Sequence, residues 1–196
     1  MTEPVTYPHP LLSAEEIEAA LVERKHPINP LASRTQACMS DMVGMRGFGV
    51  HFVRLKPGDE STQIHYHLQN SEWLYILRGT AALQLLDCTT LPPGPGVDAF
   101  TCVPPSSDAI QHVPVKQGDF VGFQAGPMAG RYAHSMRAGN EGLEYLMGGD
   151  RGEVDMMRRE HPRSGGGKRE VVRGRSGWWG GGKLSKQMAA AAPTGR

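Results

Sequence analysis

The sequence predicts an all-β domain, a barrel or sandwich of the jelly-roll kind, and three observations carry that prediction. From Gly47 to Gly149 the chain breaks into about eight short stretches of alternating, β-forming character. Glycine and proline, 25 and 15 of 196 residues, separate those stretches with turns. No helical pattern is interleaved with them, so an alternating α/β sheet is excluded.

The chain begins with its one clear helix. Ser13 is placed to cap it, Glu16 stands where a capping box needs it, and Leu12 and Ile17 are spaced for a hydrophobic staple. Ile17, Ala20 and Leu21 continue at helical spacing to about Lys25, and Pro27 and Pro30 stop it. Some three turns do not persist undocked. Residues 1–44 are therefore read as an N-terminal helical arm, packed on the body or on a partner subunit.

The body spans residues 45–150. GFGVHFVRL alternates as a first strand, Pro57-Gly58-Asp59 is a turn, and TQIHYHL is a second strand. EWLYILRG is a third, and Gly79 reads as a turn into TAALQLL. The next twenty residues, LPPGPGVDAFTCVPPSSDAI, contain five prolines and read as a long loop. Loops of that length often cover a binding site. HVPVKQGDFVGFQAG supplies two strands around Gln117-Gly118-Asp119. RYAHSMRAGNEGLEYLMGG reads as a hairpin turning at Gly139-Asn140-Glu141-Gly142, residues that tolerate positive φ.

Residues 151–196 form a basic, Gly-rich tail with 10 glycines, read as flexible. Its Trp178-Trp179 pair is suited to docking on the body or on a neighbouring subunit. The tail holds 11 Lys and Arg against 4 Asp and Glu, a net +7, whereas residues 1–150 hold 10 against 16, a net −6. An acidic body has no footprint for nucleic acid. No apolar run approaches the roughly 18 residues a membrane helix needs. MTEPVTYPHP has neither a basic n-region nor an apolar h-region, so no secretory leader is expected. Cys38, Cys88 and Cys102 are odd in number and lack C-x-x-C spacing. They predict a reducing, cytoplasmic setting rather than a disulfide framework or a zinc ribbon, and none has a partner at motif spacing for a catalytic thiol.

The chemistry concentrates in His65, His67 and Glu72. On a strand, residues i and i+2 share a face, so His65 and His67 present both imidazoles to one space while Tyr66 turns away. The next strand returns Glu72 to the same patch. Two imidazoles and one carboxylate suit Fe(II) and related divalent ions. His134, on a late strand, is a third imidazole that a closed barrel can bring in. Taken alone, a His-x-His pair is more often two histidines satisfied by backbone carbonyls. His51, Gln124, Tyr132 and Met136 are candidate substrate contacts, with a surface or partly buried histidine as the ordinary reading for His51 and core packing for Met136. Trp73 and Tyr75 are read as barrel or dimer packing.

This stretch resembles the cupin family. The first cupin motif is Gly, five residues, His-x-His, three or four residues, Glu, six residues, Gly. Here Gly58 is followed after six residues by His65-Tyr66-His67, after four by Glu72, and after six by Gly79. The second motif matches less closely: Gly118, five residues, then Gln124-Ala125-Gly126 with Gln for the usual Pro, and His134 falling late. The resemblance implies a double-stranded β-helix, the cupin jelly-roll barrel, usually dimeric. It implies one divalent metal ion held by His65, His67, Glu72 and His134. Fe(II) is expected first, with Mn, Ni, Zn or Co as alternatives. The expected function is a metal-dependent oxidoreductase, a dioxygenase acting on a small organic molecule as a homodimer. A non-catalytic small-molecule-binding cupin and a metal-independent isomerase or epimerase are the alternatives.

Overall fold

The alternation seen from Gly47 onward becomes antiparallel sheet. The structure, a computed structural model, describes residues 8–25, 29, 31–67, 69–88, 107–125, 132–151, 155–159 and 172–174. In chain order the elements are α1 (Ala14–Ala19), β1 (Val22–Lys25), β2 (Ser33–Cys38), α2 (Met39–Met42), β3 (Phe48–Leu55), β4 (His65–His67) and β5 (Glu72–Asp87). After a 3-10 turn at Ser107–Ala109 come β6 (Gln111–Lys116), β7 (Phe120–Phe123), β8 (Tyr132–Asp150), β9 (Asp155–Arg159) and β10 (Val172–Gly174).

Two long strands organise the rest. β5 and β8 pair antiparallel from Glu72↔Gly149 to Asp87↔Tyr132. Register shifts fall between Ile76 and Arg78 and between Gly79 and Ala81, where the ribbon bends. On one side of the bend, β7 pairs with Glu72–Tyr75 and β3 with Leu143–Asp150. On the other, β6 pairs with Thr80–Leu85, and β4 meets β8 at His65↔His134. Each half of the ribbon thus pairs with different strands of one continuous sheet. The core lies between them, drawing Val53 and Leu55 from β3, Leu74, Ile76 and Leu83 from β5, and Met136, Tyr145 and Met147 from β8. This is the jelly-roll architecture that the sequence predicts.

Several local expectations are corrected. Gly79 does not turn β5 into a separate strand, and Gly139–Gly142 does not close a hairpin. Both stretches lie within continuous strands. The reason is pairing: the two glycine-bearing bends face each other at Gly79↔Leu143, so the ladder runs through both. The helix does carry its capping box, with Glu16 N–H donating to Ser13 Oγ at 3.2 Å and Ser13 N–H to the Glu16 carboxylate at 2.7 Å. It ends at Ala19 rather than near Lys25, because Val22–Lys25 pairs instead with Ser33–Gln36. No residue of α1 is buried. It is tied to the body by Glu18, whose carboxylate accepts two bonds from Arg54 at 2.9 and 3.0 Å.

The arm is therefore more than a helix, since β2 pairs with β3 and carries the sheet outward. At the other end, β9 lines up on β4, opposing His65 with Arg159 and His67 with Met157, so the sheet extends past residue 150. Most of the proline-rich loop, Cys102 and Trp178-Trp179 lie outside the described residues. No helix among the described residues is long and apolar enough to cross a membrane.

Candidate metal centre

β4 is only three residues long, and both of its faces are buried. Tyr66 packs with Ile64, Leu86 and Ala133 in a small cluster under Ala109 and Ile110. Alternation then turns His65 and His67 together into the interior cavity. Pairing with β8 sets His134 directly opposite His65. Glu72 opens β5 on the facing half of the ribbon, opposite Gly149 and Phe123. The four side chains therefore converge from both halves of the bent ribbon and from β4 beside it. All four residues are at most 7% exposed.

The donor atoms crowd one point. His65 Nε2 lies 3.0 Å from His67 Nε2, and Glu72 Oε2 lies 2.8 Å from His134 Nε2 and 3.5 Å from His67 Nε2. Ligand atoms of His65, Glu72 and His134 all fall within 4.8 Å of one another. Donors bound about 2.1 Å from a shared divalent ion stand about 3 Å apart when adjacent in the coordination sphere. The observed spacings match that figure, so the residues fit a metal ion. The His65 ring is also held in the orientation that ligation needs. Its Nδ1–H donates to the Gln63 carbonyl at 2.8 Å, which leaves the Nε2 lone pair facing the centre.

The electrostatics agree with ligation. Burial, then the neighbouring His67 and His134, hold the His65 pKa well below the ordinary histidine range, so its ring is neutral and able to ligate. Burial alone would raise the Glu72 pKa, but its hydrogen bonds with His134 and His67 outweigh that and keep the carboxyl ionised. One buried negative charge beside the imidazole rings is a setting that a divalent cation relieves.

The four donors line a cavity of about 30 Å³ together with Arg34, Thr62, Met136, Tyr145 and Met147. That is room for an ion and a small ligand of a few atoms beside it. Met136, a candidate contact from the sequence, is in this wall and 1% exposed. The other three candidates do not line it. His51 is fully buried on β3, but its neighbour on β8, Met147, takes the place at the wall. Burial, then the charges of Arg34 and Arg151, push the His51 pKa down to about 3, so it stays neutral. Gln124 follows Phe123, and alternation turns Phe123 inward and Gln124 to solvent. Tyr132 begins β8 opposite Asp87, at the outer end of the ribbon.

Three residues around the centre escape a reading of the sequence. Arg34 and Tyr145 line the cavity, and Phe123 stacks on His134 with ring centroids 3.5 Å apart and planes 5° from parallel. Phe123 fixes the plane of the His134 ring, as a supporting partner of a ligand does. Phe123→Ala is expected to weaken divalent-metal affinity by about 10-fold while the barrel still folds. Metal titration followed by calorimetry checks this, and unchanged affinity removes Phe123 from that role.

No protein-family model matches the sequence, and no curated protein matches it. Among solved structures, the chain is similar to a candidate sugar phosphate isomerase from Acidithiobacillus ferrooxidans. The two are 26% identical, the match covers 82% of this chain and 91% of that one, and the TM-score is 0.58. It is also similar to a sugar phosphate isomerase from a cupin superfamily, from Silicibacter pomeroyi. Here the identity is 21%, the coverage 73% and 79%, and the TM-score 0.53. The chain shares that fold, and it carries His65, His67 and Glu72 at the spacing of the first cupin motif.

Proposed function

We propose that this protein is a metal-dependent cupin enzyme, an oxidoreductase of the dioxygenase kind, acting on a small organic molecule. The observation that carries the reading is the convergence of three imidazoles and one carboxylate on a buried point with a cavity beside it. His65, His67, His134 and Glu72 would hold the ion, with Fe(II) the first expectation and Mn, Ni, Zn or Co the alternatives. Four protein donors leave coordination positions for exchangeable ligands, as catalytic sites require. When bound, the ion would supply Lewis-acid polarisation or, as iron, redox chemistry toward oxygen.

The other side chains around the cavity favour oxidation over proton shuttling. Besides the four donors, its titratable lining residues among those described are Arg34 and Tyr145. Arginine keeps its proton at any ordinary pH. Burial pushes the Tyr145 pKa up to about 12, so its phenol also stays protonated near neutrality. Neither is a ready general base, which an isomerase needs.

A second reading, isomerisation of a sugar phosphate, is favoured by the likeness to the Acidithiobacillus ferrooxidans protein. Elemental analysis and two assays separate the readings. Protein loaded with Fe(II) is expected to hold close to one equivalent of metal. It is also expected to consume oxygen with at least one member of a panel of small carboxylates, thiols and phenols. Exchange of solvent deuterium into an aldose or ketose phosphate without oxygen uptake selects isomerisation. Metal retention without turnover in either assay leaves a binding protein. Cys38 is a free thiol, which supports a reducing, cytoplasmic setting. Tyr75 and Phe120, 40% and 65% exposed, with Phe120 stacked beside Trp73, support a homodimer.

A further inference from the structure

Among the described residues, Arg34 is the one cation in the cavity wall, and it sits far inside the protein. It projects from β2, is 7% exposed, and lines the same cavity as all four metal donors. Its Nη1–H donates to the Ser61 carbonyl at 3.3 Å, which fixes the guanidinium beside the cavity. The directly opposed residue on β1 is another cation, Arg24. Burying a guanidinium is costly, and a barrel wall needs only an apolar side chain at such a position.

The charges around the cavity can be counted. Among the described lining residues, Arg34 brings the one guanidinium and Glu72 the one carboxylate. The two offset each other, so a divalent ion bound beside them would leave the cavity positive. Tyr145, protonated and in the same wall, adds a hydroxyl donor beside the guanidinium. A fork of N–H donors with a phenolic O–H nearby is a recognition surface for a planar or tetrahedral oxyanion.

We infer that Arg34, with Tyr145, anchors a carboxylate or phosphate group of a small anionic substrate whose reacting end reaches the His65–His67–Glu72–His134 centre. This deepens the proposed function and rests on it for the word substrate. The anion site itself does not depend on the metal. The small cavity sets the size of the molecule: its oxyanion and its reacting atoms are separated by only a few bonds.

The test uses the full chain, metal-free and Mn(II)-loaded, titrated calorimetrically with sodium malonate, inorganic phosphate and, as a control for ionic strength, sodium chloride. Malonate or phosphate is expected to bind and to raise the melting temperature where chloride does not. The tighter of the two identifies the oxyanion. Arg34→Gln is expected to weaken that binding about 10- to 100-fold. Arg34→Lys keeps the charge but loses the fork, so it is expected to fall between, and it serves if Arg34→Gln does not fold. Wild-type affinity in folded Arg34→Gln or Arg34→Lys protein overturns the inference, as does a wild-type response to malonate and phosphate no larger than to chloride. Metal content is measured on the same samples. A chain that holds no metal yet loses anion binding on Arg34→Gln removes the metal-enzyme reading and leaves the anion site standing.

Discussion

Glu72→Gln is expected to fold and to lose its divalent metal, with affinity reduced by at least about 100-fold. The substitution keeps the shape of the side chain and removes the one negative charge among the four donors. Partners that merely support a metal ligand are worth about 10- to 100-fold in affinity, so loss of a charged ligand sits at or beyond the top of that range. The site makes the loss severe. Glu72 is 7% exposed and its carboxylate faces His134 at 2.8 Å and His67 at 3.5 Å, so no solvent stands ready to replace the charge. A divalent ion held only by neutral donors in so buried a place would keep its full charge unbalanced. His67→Ala is expected to give the same loss, since it removes the imidazole that lies 3.0 Å from His65 Nε2. Two measurements check this together. Elemental analysis should find close to one equivalent in the wild type and almost none in either variant. Added metal should raise the wild-type melting temperature, by up to about 4 kcal/mol of stabilisation at a thousandfold excess over the dissociation constant, and leave the variants unmoved. A Glu72→Gln protein that keeps its equivalent of metal would mean that the ion is bound elsewhere.

The ligands were legible because their geometry is local. His65 and His67 lie two residues apart on one strand, and Glu72 is only five further on, so strand periodicity alone brings the first two together. His134 was legible as a residue type, but its place opposite His65 depends on how β8 registers against β4, a long-range pairing that no local spacing fixes. β2 was missed for a different reason. Ser33, Arg34, Thr35 and Gln36 are polar on both faces, and the buried face carries Arg34 and Gln36. Hydrophobic periodicity has nothing to read there, so neither the strand nor Arg34 carries a local signal. The end of the helix was misplaced because Leu21 to Lys25 fits helical spacing locally, while pairing of Val22 with Gln36 decides the outcome. Phe123 reaches His134 only because β7 aligns it with Glu72 across the sheet. Glycine was the most ambiguous signal: a positive φ at Gly79 or Gly142 serves a hairpin turn and a bend in a continuous strand equally well.

That ambiguity at Gly79 leads to the largest stability effect expected in the barrel. Gly79→Ala should cost about 3 kcal/mol or more and lower the melting temperature by about 6–12 °C for a chain of this size. Two penalties combine. Gly79 has φ +83°, a region that costs an ordinary L-residue about 1–2 kcal/mol. A Cβ there would also stand 2.2 Å from the Gly142 carbonyl oxygen, and the obstructing atom is backbone, which cannot swing aside. Gly118 isolates the first penalty from the second. Its φ is +90°, but a Cβ at that position meets nothing within 4 Å, so Gly118→Ala should lose only the conformational part. Urea unfolding of both variants measures the difference. Equal destabilisation would mean that β5 and β8 do not approach each other at the bend, contrary to Gly79↔Leu143 pairing. The consequence reaches the metal centre. Glu72 belongs to the half of the ribbon before the bend in β5, whereas His134 belongs to the half of β8 that pairs beyond it. Forcing the two strands apart at Gly79 changes the angle between those halves, and with it the 2.8 Å approach of Glu72 to His134. Gly79→Ala that remains folded should therefore bind metal more weakly, whereas Gly118→Ala should bind it as the wild type does.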